Sequence, residues 1–347
     1  MIASPVKRLS HATRGIVAPI LVLAVFLIVY TIMQPKFLSS LLITQFFNGS
    51  AVIALAAVGE AIVIIAGGFD LSVGSALSVI NVLLAVHMGQ SGGSQILWIV
   101  LALVVGGGIG LVNGVLIAIL RIPSIVATLA TSFFWGGVAL FILNEPGGSV
   151  SMTFTDWFTG THADVPNALL LLIVAAVVWL AVKRTRLGIS IYAIGGDREA
   201  AVANGVRVRS SLLGAYTLAG LFYGMAGLFL TAETASGDPN AGAPLMLTIF
   251  VAVVLGGVSF GGGRGDASAS ILGALTLTSI FDVLYAMGVS SFYTSIFTGA
   301  VLILALIVNV WGGQWITRLR GFIRIVRSRA QGNDVTLGGS TQEVGVR

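Results

Sequence analysis

Long apolar runs separated by short polar gaps dominate the chain between residues 16 and 312. They cover 16–34, 45–66, 71–88, 96–120, 124–144, 167–183, 210–233, 244–260, 268–288 and 293–312. Most are close to the roughly 20 residues that a helix needs to cross a hydrocarbon core about 30 Å thick. Inside a bilayer a lone segment must satisfy its own backbone polar groups, so runs of this length are expected to be helical. The pattern predicts an all-α polytopic membrane protein with about ten transmembrane helices, some interrupted or re-entrant. The first run is longer than a typical signal-peptide core and has no convincing small-residue cleavage site, so it is expected to be a membrane span.

Charge sets the orientation. The chain has 18 Lys and Arg, clustered at Lys7/Arg8/Arg14, Arg121, Lys183 to Arg209 and Arg318 to Arg329, with Lys36, Arg264 and Arg347 outside the clusters. Short positive loops stay on the cytoplasmic side. With ten spans these clusters share one side, and the long opposite segment from Glu145 through Asp156 to Asp164 has three acids and no Lys or Arg. Both termini are therefore expected inside. The expected organisation is a cytoplasmic N-terminus at 1–15, a transmembrane domain at 16–317 with a cytoplasmic loop at 184–209, and a basic, partly disordered tail at 318–347.

Composition narrows the function classes. Hydrophobic residues make up 56% of the chain and charged residues 9%, and the mean hydropathy is +1.02. Soluble domains carry about a quarter charged residues. The pI near 9.9 comes from bases beside apolar segments, which argues against a nucleic-acid face. The chain has no Cys, which removes disulfides, thiolate metal sites and cysteine catalysis. His11, His87 and His162 are scattered, so no metal site and no catalytic cluster is expected.

Forty-five glycines suit close helix contacts in lipid, as in Gly106-Gly107-Gly108-xx-Gly110 and Gly220-xxx-Gly224-xx-Gly227. Two glycine clusters also carry polar residues at a break between runs: Gly67 to Ser75 and Gly256 to Gly265. Irregular backbone at membrane depth is tolerated only against protein or a watery cavity, and interrupted helices build transport sites. Asp70 follows the first glycine pair and precedes Leu71-Ser72-Val73-Gly74, which suits a helix N-cap, with direct substrate contact as the other reading. Glu60 and Asp282 fall inside runs, where an acid is costly; each lines a pathway, serves as a proton or sodium site, or makes an interhelical hydrogen bond.

The loop between Lys183 and Arg209 contains Arg186, Gly188 and the string Tyr192-Ala193-Ile194-Gly195-Gly196-Asp197, followed by Arg198-Glu199-Ala200-Ala201-Val202-Ala203-Asn204-Gly205-Val206. Asp197 reads as the cap of a two-turn helix that Asn204-Gly205 stops. Such a polar-and-Ala helix on the cytoplasmic face is a docking knob for a soluble partner.

Four motifs now carry a family resemblance. Gly67 to Ser75, Ile122-Pro123-Ser124-Ile125-Val126-Ala127-Thr128-Leu129, the loop from Tyr192 to Val206, and Val253-Val254-Leu255-Gly256-Gly257 with Gly261-Gly262-xx-Gly265 resemble, in order, the permease subunit of bacterial ABC sugar importers of the ribose, xylose, galactofuranose and autoinducer-2 type. The resemblance implies two permease subunits, identical or paralogous, two separate ATP-binding cassettes, and an extracytoplasmic binding protein in the cytoplasmic (inner) membrane system. It makes the Asp197–Gly205 segment the coupling helix. Phe69 stands where the family usually has Ile, and Glu60 where it is usually neutral.

No G-x-x-x-x-G-K-[ST] phosphate loop is present, so the chain is expected to be no enzyme and to hold no cofactor, with ATP and Mg on the partner. The expected function is translocation of a small neutral solute, foremost a monosaccharide; the alternative is an ion-coupled secondary transporter. A sugar path should offer hydrogen-bonding groups and aromatic faces. The candidates are Phe47, Asn48, Asn113, Thr131, Phe134 and Trp135, together with Glu60, Phe69, Asp70 and Ser72.

Overall fold

The computed structural model describes residues 5–89 and 91–307. Residues Met1–Leu302 form one unit, which holds the helical bundle, and Ile303–Arg347 a second. The basic tail expected at 318–347 and the end of the tenth run lie outside the described residues.

Among the described residues the elements succeed one another in order: α1 Pro5–Met33, α2 Ser40–Ile65, α3 Val73–His87, α4 Gly92–Ala118, α5 Ser124–Ile142, α6 Met152–Thr159, β1 Thr161–His162, β2 Val165–Pro166, α7 Asn167–Lys183, α8 Arg186–Gly196, α9 Arg198–Ala203, α10 Val208–Thr234, α11 Leu245–Leu255 and α12 Ala269–Ala286. The turn Ser291–Tyr293 leads into the last described apolar stretch. Serine starts several helices in the expected way: the hydroxyls of Ser39, Ser91 and Ser151 each accept a backbone N–H from the first turn. Each of the ten apolar runs contains a helix where described, but not all are full crossings. Helix α3 has 15 residues and α11 has 11, about 22 Å and 16 Å at a rise of about 1.5 Å per residue, short of a core about 30 Å thick.

Glycine is the cause of both shortfalls, and the same device occurs twice. Helix α2 ends where Gly67 turns to φ +85°, with Gly67 N–H donating to Ile64 O and Gly68 N–H to Val63 O. Helix α11 ends where Gly257 turns to φ +80°, with Gly257 N–H donating to Val254 O and Val258 N–H to Val253 O. A left-handed residue here closes the orphan carbonyls of the helix end, and only glycine adopts it without strain. The next helix starts in the same manner in both places. The Asp70 carboxylate accepts the Ser72 N–H and hydroxyl at 2.9 and 2.6 Å, and Asp266 does the same for Ser268 at 3.1 and 2.8 Å.

Helix α2 is the interior element, with 83% of its apolar window buried, whereas α5 has 22%. Helix α10 packs on α2, α3 and α4. The α4–α10 seam uses the expected glycines: a Cβ on Gly106 would lie 2.8 Å from the Gly224 backbone, and one on Gly110 would lie 2.9 Å from the Tyr216 carbonyl carbon. Close backbone approach of this kind supplies dispersion contact where lipid offers no hydrophobic drive. Helices α7 and α8 meet at a 78° bend, so α8 and α9 leave the bundle and lie across its end. At the opposite end, α6 and the antiparallel β1–β2 hairpin form a small cap.

Candidate functional site

The first helix break places a buried polar network next to a cavity. Glu60, Asp70, Ser72 and Asn113 are fully buried and Thr131 nearly so. Asn113 Nδ2 lies 3.1 Å from both Asp70 carboxylate oxygens and donates to Ser72 Oγ at 2.8 Å, while its Oδ1 accepts from the Thr131 hydroxyl at 2.7 Å. Glu60 Oε1 accepts the Asp70 N–H at 3.1 Å, and Oε2 accepts the Tyr223 hydroxyl at 2.9 Å. Tyr216 and Thr128 donate to Phe69 O, and Phe69 N–H donates to Ser124 Oγ. Helices α2, α4, α5 and α10 thus converge on the irregular stretch 66–72, whose backbone polar groups have side-chain partners in place of a helix ladder. That is the condition for non-helical backbone within a membrane protein.

Asp70 departs from the expected cap. Helix α3 begins at Val73, and the residue in the capping position is Ser72, which makes no side-chain cap bond. Asp70 lies two residues earlier and closes a tight turn on Ser72. The glycine pair sets this, because reversing the chain at Gly67–Gly68 takes further residues before helical dihedrals resume.

The site candidates separate into groups. Glu60, Phe69, Asp70, Ser72, Asn113 and Thr131 come together at the break. Phe69 packs edge-on against Phe260 with ring centroids 5.4 Å apart. Asn48 instead donates to Thr159 O at 2.8 Å beside α6, and Phe47 stacks edge-on with Phe46; along α2 they lie about 18 Å from Glu60. Phe134 is 62% exposed on α5, and its ring meets Trp135 at 4.9 Å in a T-shaped pair. Trp135 Nε1 is buried without a hydrogen-bond partner. Sequence reading missed Tyr216 and Tyr223. Their spacing of two helical turns on one face of α10 was the available signal.

A cavity of about 550 Å³ opens at the end carrying α9, lined among others by Gly67, Arg121, Ser124, Asp197, Arg198 and Tyr216. Tyr216 and Ser124 belong to both the cavity wall and the network. The long loop forms the other wall. There Asp197 caps α9 by accepting the Ala200 N–H at 3.0 Å, and Gly205 turns to φ +78° after Asn204, as the sequence suggests. Ala201, expected on the docking face, is instead 4% exposed; Arg198, Glu199, Ala200, Val202, Ala203, Asn204 and Gly205 point outward, as do Arg186 and Gly196. A six-residue helix lying on the bundle must bury one small side chain against it. Ile194 and Gly188 are buried, and Val206 is half-buried. Gly195 presses onto both breaks, since a Cβ there would collide with Ile65 O at the end of α2 and lie 2.7 Å from Gly263 N in the second break, and Gly263 N–H donates to Ile65 O at 2.9 Å.

Near this end Asp266 receives Lys183 Nζ and Trp179 Nε1. Burial would raise its pKa, but the Lys183 and Ser268 contacts outweigh burial and hold the carboxyl below its ordinary value. Among the described residues no group of three or more His, Asp or Glu could hold a metal ion.

Residues 42–306 match the family described as branched-chain amino acid transport system / permease component. The chain is 34% identical over 295 residues to the ribose import permease protein of Bacillus subtilis (strain 168), covering 84% of this chain and 91% of that one. It is 29% identical to the D-allose transport system permease protein of Escherichia coli (strain K12), covering 83% and 89%. It is 31% identical to the galactose/methyl galactoside import permease protein of Salmonella typhimurium, covering 83% and 92%. No solved structure matches.

Proposed function

The chain belongs to the branched-chain amino acid transport system / permease component family, and from that premise we propose that it is the transmembrane subunit of an ATP-binding-cassette importer for a monosaccharide. The observation that carries the substrate class is the 34% identity to a ribose import permease over 84% of this chain and 91% of that one. The relatives named for allose and galactose point to pentoses and hexoses together. In this reading the protein lies in a bacterial cytoplasmic membrane with both termini inside. A second permease subunit completes the path, a binding protein delivers sugar to the α6 end, and ATP-binding cassettes seat on the α9 end.

The outward face of α9, with Arg198, Glu199, Ala200 and Val202, enters the cassette. Arg186, Gly188, Ile194, Gly195, Gly196, Asp197, Ala201, Asn204, Gly205 and Val206 shape and support it. Phe134 on the outward side of α5 faces the path between two permease copies. The Glu60–Asp70–Asn113 network is already saturated by hydrogen bonds, so it fixes the broken helix beside the path and leaves sugar contact to the exposed aromatic side.

The test is uptake of D-ribose, D-allose and D-galactose into vesicles holding permease, cassette and binding protein, with ATP inside and ion gradients collapsed by ionophore. Import that needs ATP and ignores the gradients is expected. Import that survives ATP depletion and stops with the gradient would overturn this reading in favour of an ion-coupled carrier.

A further inference from the structure

The start of α12 is bound to the end of α7, and through Tyr192 to α8, by a cluster whose ion pair the helix start itself does not need. Lys183, the last residue of α7, forms an ion pair with Asp266, the one salt bridge among the described residues. Asp266 Oδ1 also accepts Trp179 Nε1 at 2.9 Å and the N–H and hydroxyl of Ser268. On α8, Tyr192 donates its hydroxyl to Gly265 O at 2.8 Å, and Lys183 Nζ sits 5.5 Å above the Tyr192 ring. The equivalent carboxylate at the first break, Asp70, starts its helix with only hydroxyl, amide and backbone donors. The tight turn before the helix therefore accounts for the Ser268 contacts and leaves the Lys183 contact over. The Lys183 and Asp266 side chains are 32% and 12% exposed, so the carboxylate is largely removed from water while the ammonium stays partly solvated.

We infer that Lys183 and Asp266 are positioning residues that tie the end of α7, and through the Tyr192 ring the α8–α9 segment that follows it, to the start of α12, so that displacement of the docking helix by the ATPase is delivered to α12. This rests on the proposed seating of the cassette at α9.

The experiment uses the complete complex in vesicles and reads ATP hydrolysed per sugar imported. Asp266→Asn keeps an oxygen for Trp179 and Ser268 but removes the charge, and Lys183→Met removes the partner. Both should raise the ratio about fivefold or more, the lower end of ordinary coupling between sites, with binding-protein-independent hydrolysis unchanged. Lys183→Arg should keep the native ratio. Ser268→Ala, which weakens the helix start without touching the ion pair, should keep it too. Native ratios in both charge-removing variants would overturn the inference, as would an equal rise in Ser268→Ala, which would make the cluster merely structural. If Asp266→Asn does not insert, Lys183→Arg against Lys183→Met decides alone. A native complex without ATP-driven import would instead remove the functional reading and this inference with it.

Discussion

Asn113 is the side chain on which the first break depends, because one amide serves both Asp70 oxygens, Ser72 and Thr131. Asn113→Ala leaves a carboxylate and two hydroxyls each short of a partner in a buried position. It should cost about 1–3 kcal/mol for each group that finds no substitute, read as a lower unfolding temperature in detergent. Glu60→Gln keeps an acceptor for the Asp70 N–H and offers an amide that the Tyr223 hydroxyl can accept, so ATP-driven uptake should persist; its loss would point to proton exchange at Glu60. At Asp266 the sign of the pH effect is set by the lowered pKa. The stabilisation is fully present above the ordinary carboxyl value, about 3.9, and is lost as pH falls through the lower folded value. Between about pH 5 and 8 the native protein and Asp266→Asn should therefore show the same slope of stability against pH, and the slopes should part only below about pH 4. The sequence exposed Asp70, Glu60 and Asn113 as polar residues in apolar runs, but not their partners. Tyr216 and Tyr223 lie more than 140 residues from Phe69 and Glu60, which they contact, and their shared face of α10 does not say which distant segment it meets.

At the scale of elements, the runs were legible because lipid demands length and apolarity, and both glycine breaks were visible as punctuation. The kinship of the breaks was not, since Asp70 comes soon after its glycine pair while the second break inserts Ser259 to Gly265 before Asp266. Helix packing gives a graded test. Gly220→Ala puts a Cβ against the Gly106 backbone and should cost about 1–3 kcal/mol by overpacking, whereas Gly108→Ala meets nothing within 4 Å and should be tolerated. On α9 the burial pattern reassigns the docking test. Val202 is 57% exposed and Ala201 4%, so Val202→Glu should leave the permease folded and abolish substrate-stimulated ATP hydrolysis. Ala201→Glu should reduce the amount of folded protein in the membrane. Reversed outcomes would place the docking face on the other side of the helix.

For the whole molecule, orientation is open to direct measurement, because a chain without cysteine gives no background to thiol reagents. A cysteine at exposed Asp164 should react with an impermeant reagent in intact cells, and one at Ala200 should not; labelling at 200 would invert the topology. The shortness of α3 also bears on how the protein is made. Eleven of its 15 residues are buried, and its polar Asn81 finds Thr231, 150 residues later, and Ser236, 155 residues later. Segment 73–87 is thus too short to anchor itself as it leaves the translocon and carries an amide whose partners come only with α10 and the turn after it. At about 5–20 residues per second, roughly 8–30 s of translation separate the two. During that interval the α2–α3 pair must wait, sheltered by insertion machinery or drawn toward the interface, so the broken helix that the finished transporter depends on is the last part of its first half to settle.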